Sequence, residues 1–157
     1  MAVKPIPEGY HSLQIYLAVE DASKAIDFYR EAFGAEEVMR MPGPDGKIAH
    51  AELQIGDSKL MLSDPFPQSQ VRPPSERGGA TASVFMYVED VDATFDQATA
   101  VGADVVMQLE DMFWGDRFGT LSDPFGHVWS IATHKEDLSE EEMAERSKAA
   151  MAEMPTG

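Results

Sequence analysis

Residues 19–39 read VEDASKAIDFYREAFGAEEVM, and residues 88–107 read VEDVDATFDQATAVGADVVM. Each stretch opens on Val-Glu-Asp, runs through a helical pattern, reaches Gly-Ala and closes on Val-Met. The copies lie 69 residues apart at their start and 68 at their end. A spacing of roughly 60–70 residues is too long for a solenoid unit, whose repeats run to about 50. Two copies of that size instead predict one pseudo-symmetric domain, with a concave surface shared between the modules.

The strands and helices can be read module by module. His11–Val19 alternates, with Leu13, Ile15, Leu17 and Val19 on one face and Ser12, Gln14, Tyr16 and Ala18 on the other. A period of two predicts a strand. Asp21 is placed to cap a helix that carries Ala22, Ala25, Ile26, Tyr29, Ala32 and Phe33 on one face, and Gly34 to close it. Strands follow over 36–41, 47–55 and 59–63, separated by Pro-Gly-Pro-Asp-Gly at 42–46 and a tight turn at 55–58. Residues 65–82, rich in Pro, Gly and Ser without apolar periodicity, predict the linker. The second module repeats the order: a strand over 83–88, a helix capped by Asp90 and closed by Gly102, then strands over 104–109, 116–121 and 128–133, with a turn at Asp123-Pro-Phe-Gly126. Ser63-Asp-Pro-Phe66 recurs as Ser122-Asp-Pro-Phe125, but before the last strand rather than after it, so it is not part of the repeat. Ser139 and Glu142 form a capping box for a tail helix within 136–154, whose thin methionine stripe is too narrow to fold alone. It either docks on the body or on a partner subunit, or frays.

The expected fold is therefore α+β: two β-α-β-β-β modules, about 10–64 and 83–134, forming a cupped, pseudo-two-fold mixed β-sheet with helices outside, plus the C-terminal helix. At 157 residues one domain is expected. No apolar run is long enough to cross a bilayer, and the N-terminus has no secretory apolar region, so a cytoplasmic location is expected. The net charge of −16 argues against nucleic acid and anionic membrane partners. The acidity either serves solubility or attracts a cationic ligand. There is no cysteine, hence no disulfide, thiolate nucleophile or thiolate-bound metal.

The segments AIDFYREAFGAEE, DGKIAHAELQIGDSKLMLSD, MFWGDRFGTLSDPFGHVW and THKEDLSEEEM, together with the paired modules, resemble the vicinal oxygen chelate superfamily over roughly residues 10–154. That group includes glyoxalase I, bleomycin- and fosfomycin-resistance proteins and extradiol dioxygenases; the detail is similar to its PhnB-like members. The resemblance implies the fold without fixing the reaction. It also implies where a metal sits in the metal-dependent members: on the first and last strand of each module, pointing into the cup. Gln14, Met61, Ser83 and Ser130 occupy those positions here. An amide, a thioether and two hydroxyls are not a usual divalent ligand set, so the expectation is no metal cofactor, with a divalent ion as the alternative. Some PhnB-like proteins are called demethylubiquinone methyltransferases, but no strand-to-helix glycine-rich nucleotide loop is present here.

The apolar rows Leu13/Ile15/Leu17/Val19, Ala49/Ala51/Leu53/Ile55 and Val84/Met86/Val88 are expected under the helices. The mixed rows are expected to face the cup: Gln14, Tyr16, His50, Glu52, Gln54, Met61, Ser83, Phe85, Tyr87, Arg117, Leu121 and Ser130. His50 and Glu52 share a strand face. They are a structural pair, a ligand contact, or a catalytic base with its orienter. Phe113, Trp114 and Arg117 form either a rim that stacks on a flat ligand and offers a guanidinium fork, or a hydrophobic plug with a surface ion pair. Trp129 is assigned to the core, and His11, His127 and His134 to structural or surface roles. Two functions follow. The first is a metal-free small-molecule-binding protein holding an aromatic or amphipathic metabolite or antibiotic through Gln14, Tyr16, Met61, Phe85, Tyr87, Phe113, Trp114 and Arg117. The second is a lyase, isomerase or dioxygenase-type enzyme using His50 and Glu52. A homodimer is expected from the family's habit of pairing modules across subunits.

Overall fold

Two aspartates start the two main helices. Asp21 accepts the amide hydrogen of Lys24 (3.1 Å) and Asp90 that of Ala93 (3.0 Å), each from an extended cap position. The computed structural model describes residues 2–157. The elements run in the order β1 (Ile15–Ala18), α1 (Ala22–Phe33), β2 (Glu36–Pro42), β3 (Ile48–Ile55), β4 (Ser58–Ser63), β5 (Ser83–Tyr87), α2 (Val91–Ala100), β6 (Asp104–Asp111), β7 (Asp116–Ser122), β8 (Val128–His134) and α3 (Glu140–Glu153). Among the described residues no helix is long and apolar enough to cross a membrane.

The strands form two four-stranded sheets of identical topology, β1-β4-β3-β2 and β5-β8-β7-β6. In each, the first strand pairs parallel to the last, and the other pairings are antiparallel. The expected cupped sheet is thus divided between β1 and β5, which share no ladder. β1 is also shorter than the alternation suggested, because only Leu60–Ser63 of β4 offers it partners. Upstream the chain leaves the ladder: His11 Nε2 contacts the Asp57 carbonyl (2.9 Å), and Leu13 is 88% exposed rather than under a helix.

The pseudo-symmetry extends to how the helices are tied down. The Ala22 amide donates to Asp64 Oδ1 (3.1 Å), and 69 residues on the Val91 amide donates to Thr133 Oγ1 (2.9 Å). A side chain at the C-terminal end of the last strand, Asp64 just past β4 and Thr133 within β8, thus satisfies one free donor of the helix's first turn in both modules. One core joins the halves. α1 buries Ala22, Ala25, Ile26, Phe28, Tyr29 and Ala32, and the cluster continues into Val91, Phe95, Leu121, Trp129 and Ile131 of the second module.

Asp123 anchors that junction. Its Oδ2 accepts the Tyr29 hydroxyl (2.6 Å) and the Trp129 indole N–H (2.9 Å); its Oδ1 accepts the amides of Phe125 and His127 (2.9 Å each). Around it Tyr29, Phe33, Phe125 and Trp129 pack with centroids 4.5–6.2 Å apart. Burial, then the Asp123 charge, pushes the Tyr29 hydroxyl well above its ordinary range. The Asp-Pro-Phe echo therefore places two buried carboxylates in different roles: Asp64 holds Ala22 and Ile48, and Asp123 binds the modules together.

The linker is ordered by its own contacts. Arg72 grips Glu76 through two hydrogen bonds (2.6 and 2.8 Å) and donates to the Phe66 carbonyl (2.7 Å), while Pro73 and Pro74 are buried. The tail helix has the expected capping box but buries no residue; Arg146 ties it down by bonding Glu136 (2.8 Å).

Asp123→Asn turns an amide N–H₂ toward donors that need an acceptor. Leaving buried donors unsatisfied costs about 1–3 kcal/mol per group, so a loss of about 2–4 kcal/mol is expected by urea denaturation. A loss below about 0.5 kcal/mol, the range of a neutral surface change, would contradict the anchoring role.

Candidate functional site

Strand register decides which side chains face away from the helices. In sheet 1 the pairs Tyr16–Met61, Met61–Glu52 and Glu52–Met39 align one row across four strands. Met41 pairs with His50 in the next row. The opposite parity, Leu17, Leu62, Ala51 and Leu53, is buried under α1. His50, Glu52, Tyr16 and Met61 therefore share the outer face, as their alternation suggested.

In sheet 2 the register differs from expectation at β7. Leu121 pairs with Trp129 and is fully buried, and Gly119 lies so close to α2 that a Cβ there would sit 2.6 Å from the Phe95 ring. Arg117 shares this parity. Its guanidinium bonds Asp92 of α2 through two nitrogens (2.8 Å each) and Asp111 (3.3 Å), and these carboxylates raise its pKa. The expected ligand fork is committed to the helix side. The outer parity of β7 is instead Asp116, Phe118 and Thr120, and Phe118 is a site residue that the sequence reading omitted. Its neighbours identify it: Phe118 pairs with Ala132, which pairs with Tyr87.

The outer face of sheet 2 is an aromatic wall. Phe85 stacks on Phe118 (5.7 Å, interplanar 21°) and tilts against Tyr87 (5.2 Å); Trp114 meets Phe118 edge-on (5.5 Å), and Phe113 meets Trp114 (5.1 Å). Phe85 and Tyr87 remain 49% and 61% exposed. Behind the wall, Asp116 is 3% exposed and accepts the Tyr87 hydroxyl (2.9 Å), the Trp114 indole N–H (3.1 Å) and His134 Nδ1 (2.8 Å). One carboxylate thus orients two aromatic rings. His134, expected to be merely structural, supports the same group and also reaches Asp137 (2.9 Å).

The outer face of sheet 1 carries a chain of polar groups. Tyr10 donates its hydroxyl to Glu52 Oε2; Glu52 Oε1 meets His50 Nε2 (3.1 Å); His50 Nδ1 meets the Tyr16 hydroxyl (3.0 Å). Glu52 is 8% exposed, and the Tyr10 hydrogen bond, aided by His50, holds its carboxyl below the ordinary range. Tyr10 lies outside any strand, and nothing in the local pattern announces its part in this array.

A groove of about 660 Å³ runs between β1 and β5, beside Phe85 and Tyr87 of the wall. Ile15, Lys59 and Leu60 line one side, and Val84 to Glu89 of and beyond β5 the other; Lys59 also holds its ammonium 5.4 Å from the Tyr10 ring centroid. The pseudo-two-fold generates a second groove, between β1 and the turn at His127 and Val128. The linker covers that one with Val71, Arg72 and Pro74, reducing it to about 340 Å³. A single linker cannot cover both, so one groove stays open. The open volume falls within the range of small-molecule pockets, about 300–1,000 Å³.

The four positions that would hold a metal present an amide, a thioether and two hydroxyls. The Gln14 amide nitrogen already donates to the His11 carbonyl (2.5 Å). Among the described residues no three His, Asp or Glu side chains converge on a common point. This donor set does not fit a divalent cation, which draws on imidazole and carboxylate ligands.

Asp116, then Asp137, raises the pKa of His134 above the ordinary histidine range. A raised folded pKa stabilises the fold most at pH below the unfolded value of about 6.5 and loses that effect as pH rises through the folded value. The stability difference between the wild type and His134→Gln is expected to be largest near pH about 5.5 and to shrink toward pH about 8.5. Urea midpoints across that window check this; a difference that stays flat or grows with pH contradicts it.

Residues 11–131 match the Glyoxalase/Bleomycin resistance protein/Dioxygenase superfamily. An uncharacterized protein of Mycobacterium bovis is 44% identical over 135 residues, covering 84% of this chain and 89% of its own length. Among solved structures, TioX from Micromonospora sp. ML1 is 32% identical with a TM-score of 0.63, over 82% of this chain and 100% of its own. TnmS3, an antibiotic binding protein from Streptomyces sp. CB03234, is 27% identical with a TM-score of 0.63, over 86% of this chain and 99% of its own. With most of its length matched in sequence and its two β-α-β-β-β modules in place, the chain belongs to the glyoxalase/bleomycin resistance protein/dioxygenase superfamily.

Proposed function

We propose that the protein binds a planar aromatic or amphipathic small molecule, a metabolite or an antibiotic, without a metal ion. The observation that carries this reading is the aromatic wall, in which half-exposed Phe85 and Tyr87 lie with partly buried Trp114 and Phe118 beside an open groove. Rings held this way expose flat faces on which a flat ligand stacks, at about 0.5–1.5 kcal/mol per aromatic pair beyond the area buried. Asp116 locks the Tyr87 and Trp114 rings before the ligand arrives, which lowers the ordering cost of binding. The methionines of sheet 1, Met39, Met41 and Met61, add a pliable apolar edge. The similarity to an antibiotic binding protein supports the same assignment.

The enzymatic alternative, a lyase, isomerase or dioxygenase built on a divalent ion, is not favoured by the amide, thioether and hydroxyl groups at Gln14, Met61, Ser83 and Ser130. The reading includes a symmetric homodimer, supported by exposed apolar side chains at Val38, Met41 and Val106 on the sheets and at Leu13 ahead of β1. Light scattering should then give twice the 17.2 kDa chain mass, and the mass of a single chain at micromolar concentration contradicts the dimer.

Anthraquinone-2-sulfonate, a planar probe, should quench tryptophan fluorescence saturably. Phe85→Ala should weaken its binding about 3- to 10-fold, the equivalent of one lost aromatic pair. Treatment with EDTA should leave the affinity within about twofold. No saturable binding, no effect of Phe85→Ala, or a loss restored only by added divalent metal would each contradict the reading.

A further inference from the structure

We infer that Tyr16, His50 and Glu52 form a proton-accepting unit for an acidic hydroxyl, phenolic or enolic, of the bound small molecule. This rests on the binding reading above and specifies the chemical class of its ligand.

Ionised Glu52 only accepts hydrogen bonds, so the nitrogen facing it, His50 Nε2, carries a hydrogen. His50 Nδ1 then faces the Tyr16 hydroxyl with its lone pair, and Tyr16 donates to it at 3.0 Å. The Tyr16 oxygen keeps its lone pairs for another donor, and the residue is 41% exposed. The order of hydroxyl, imidazole and buried carboxylate is that of a nucleophile–base–orienter triad with a phenol at its outer end.

A ligand hydroxyl that donates to the Tyr16 oxygen completes a proton path. As the ligand proton passes to that oxygen, the Tyr16 proton passes to His50 Nδ1. One ligand O–H bond breaks, one O–H bond at Tyr16 is replaced by another, and one N–H bond forms on the imidazole. The products are a ligand oxyanion and an imidazolium facing Glu52, so charge is conserved without a further reactant. The groups facing the imidazole from neighbouring elements fit this outcome. Glu52 lies on its own strand, Tyr16 comes from β1, and Tyr10, from the N-terminal segment, holds the second Glu52 oxygen. Lys59 of β4 supplies an ammonium in the groove shared with Phe85 and Tyr87. From β2 come the uncharged Met39 and Met41. In the second module the equivalent of His50 is Phe118, so the pseudo-symmetry keeps one proton-handling face and one stacking face. β1 and β5 run alongside each other: Ile15 and Val84 line both grooves, Phe85 and Tyr87 the open one and Tyr16 the linker-covered one, so a ligand must cross this seam to lie on the rings and donate to Tyr16.

Two matched probes test the inference: alizarin red S, a dihydroxyanthraquinone sulfonate whose colour reports ionisation, and anthraquinone-2-sulfonate, which has no hydroxyl. Bound to the wild type, alizarin red S should ionise at a pH lower by about one unit or more than in free solution, a tenfold change in acidity. Tyr16→Phe and His50→Gln should still bind the dye and lose most of that shift, and Glu52→Gln should reduce it. Anthraquinone-2-sulfonate, which has no hydroxyl to ionise, should bind the wild type saturably. An unshifted midpoint on the wild type, or a shift that survives Tyr16→Phe and His50→Gln but vanishes in Lys59→Met, overturns the inference and leaves the binding reading intact. Failure of both probes to bind overturns both. Apart from any ligand, ¹⁵N NMR should find the hydrogen of neutral His50 on Nε2; its presence on Nδ1 overturns the relay.

Discussion

A single buried carboxylate decides how the two halves of this molecule sit together. Asp123 accepts two amides of its own turn, the indole of Trp129 and, across the module boundary, the hydroxyl of Tyr29. An ionised group taken out of water is tolerated only when its lone pairs are filled, and here four donors fill them. Because one donor belongs to α1, the first helix is fixed against the second sheet. That contact sets β1 beside β5 and turns both outer sheet faces away from the shared core.

From that arrangement follows a division of labour between two copies of one module. Where sheet 1 places His50, sheet 2 places Phe118; where sheet 1 places Glu52, sheet 2 places Thr120. One outer face keeps a hydrogen-bonded polar chain, the other a stack of rings braced by Asp116. The linker adds a further asymmetry by covering only one of the two grooves that the pseudo-two-fold generates. The features that break the symmetry are therefore concentrated at the site, while those that preserve it, the Asp21 and Asp90 caps and the Asp64 and Thr133 ties, hold up the scaffold.

Much of this scaffold is legible in the sequence, because local chemistry specifies it. The Val-Glu-Asp landmarks, the Asp caps, the glycine at position 34 and the alternation in β3 all report on residues close in the chain. The outer placement of Tyr16, His50, Glu52, Met61, Phe85 and Tyr87 follows from the pleat alone. What escapes is the side chain whose role is set by a distant partner. In Asp-Arg-Phe-Gly-Thr-Leu-Ser both faces of β7 are mixed, so the pattern does not fix its parity. Only the closeness of Gly119 to Phe95, and of Arg117 to Asp92, does so. The Asp123 turn is plain from Asp-Pro-Phe-Gly, but its bond to Tyr29 spans 94 positions. Tyr10 joins the Glu52 array from a segment with no periodicity, 42 positions away.

The central claim is that the outer face of sheet 2, with the groove beside it, is a recognition surface built before any ligand arrives. Mapping amide and indole NMR shifts during titration with anthraquinone-2-sulfonate tests it most directly. The account predicts saturable changes concentrated at Phe85, Tyr87, Phe118 and the Trp114 indole N–H, with the amides of the buried core residues Ala25 and Ile26 unaffected. Changes confined to α1, α2 or the linker-covered groove would contradict it.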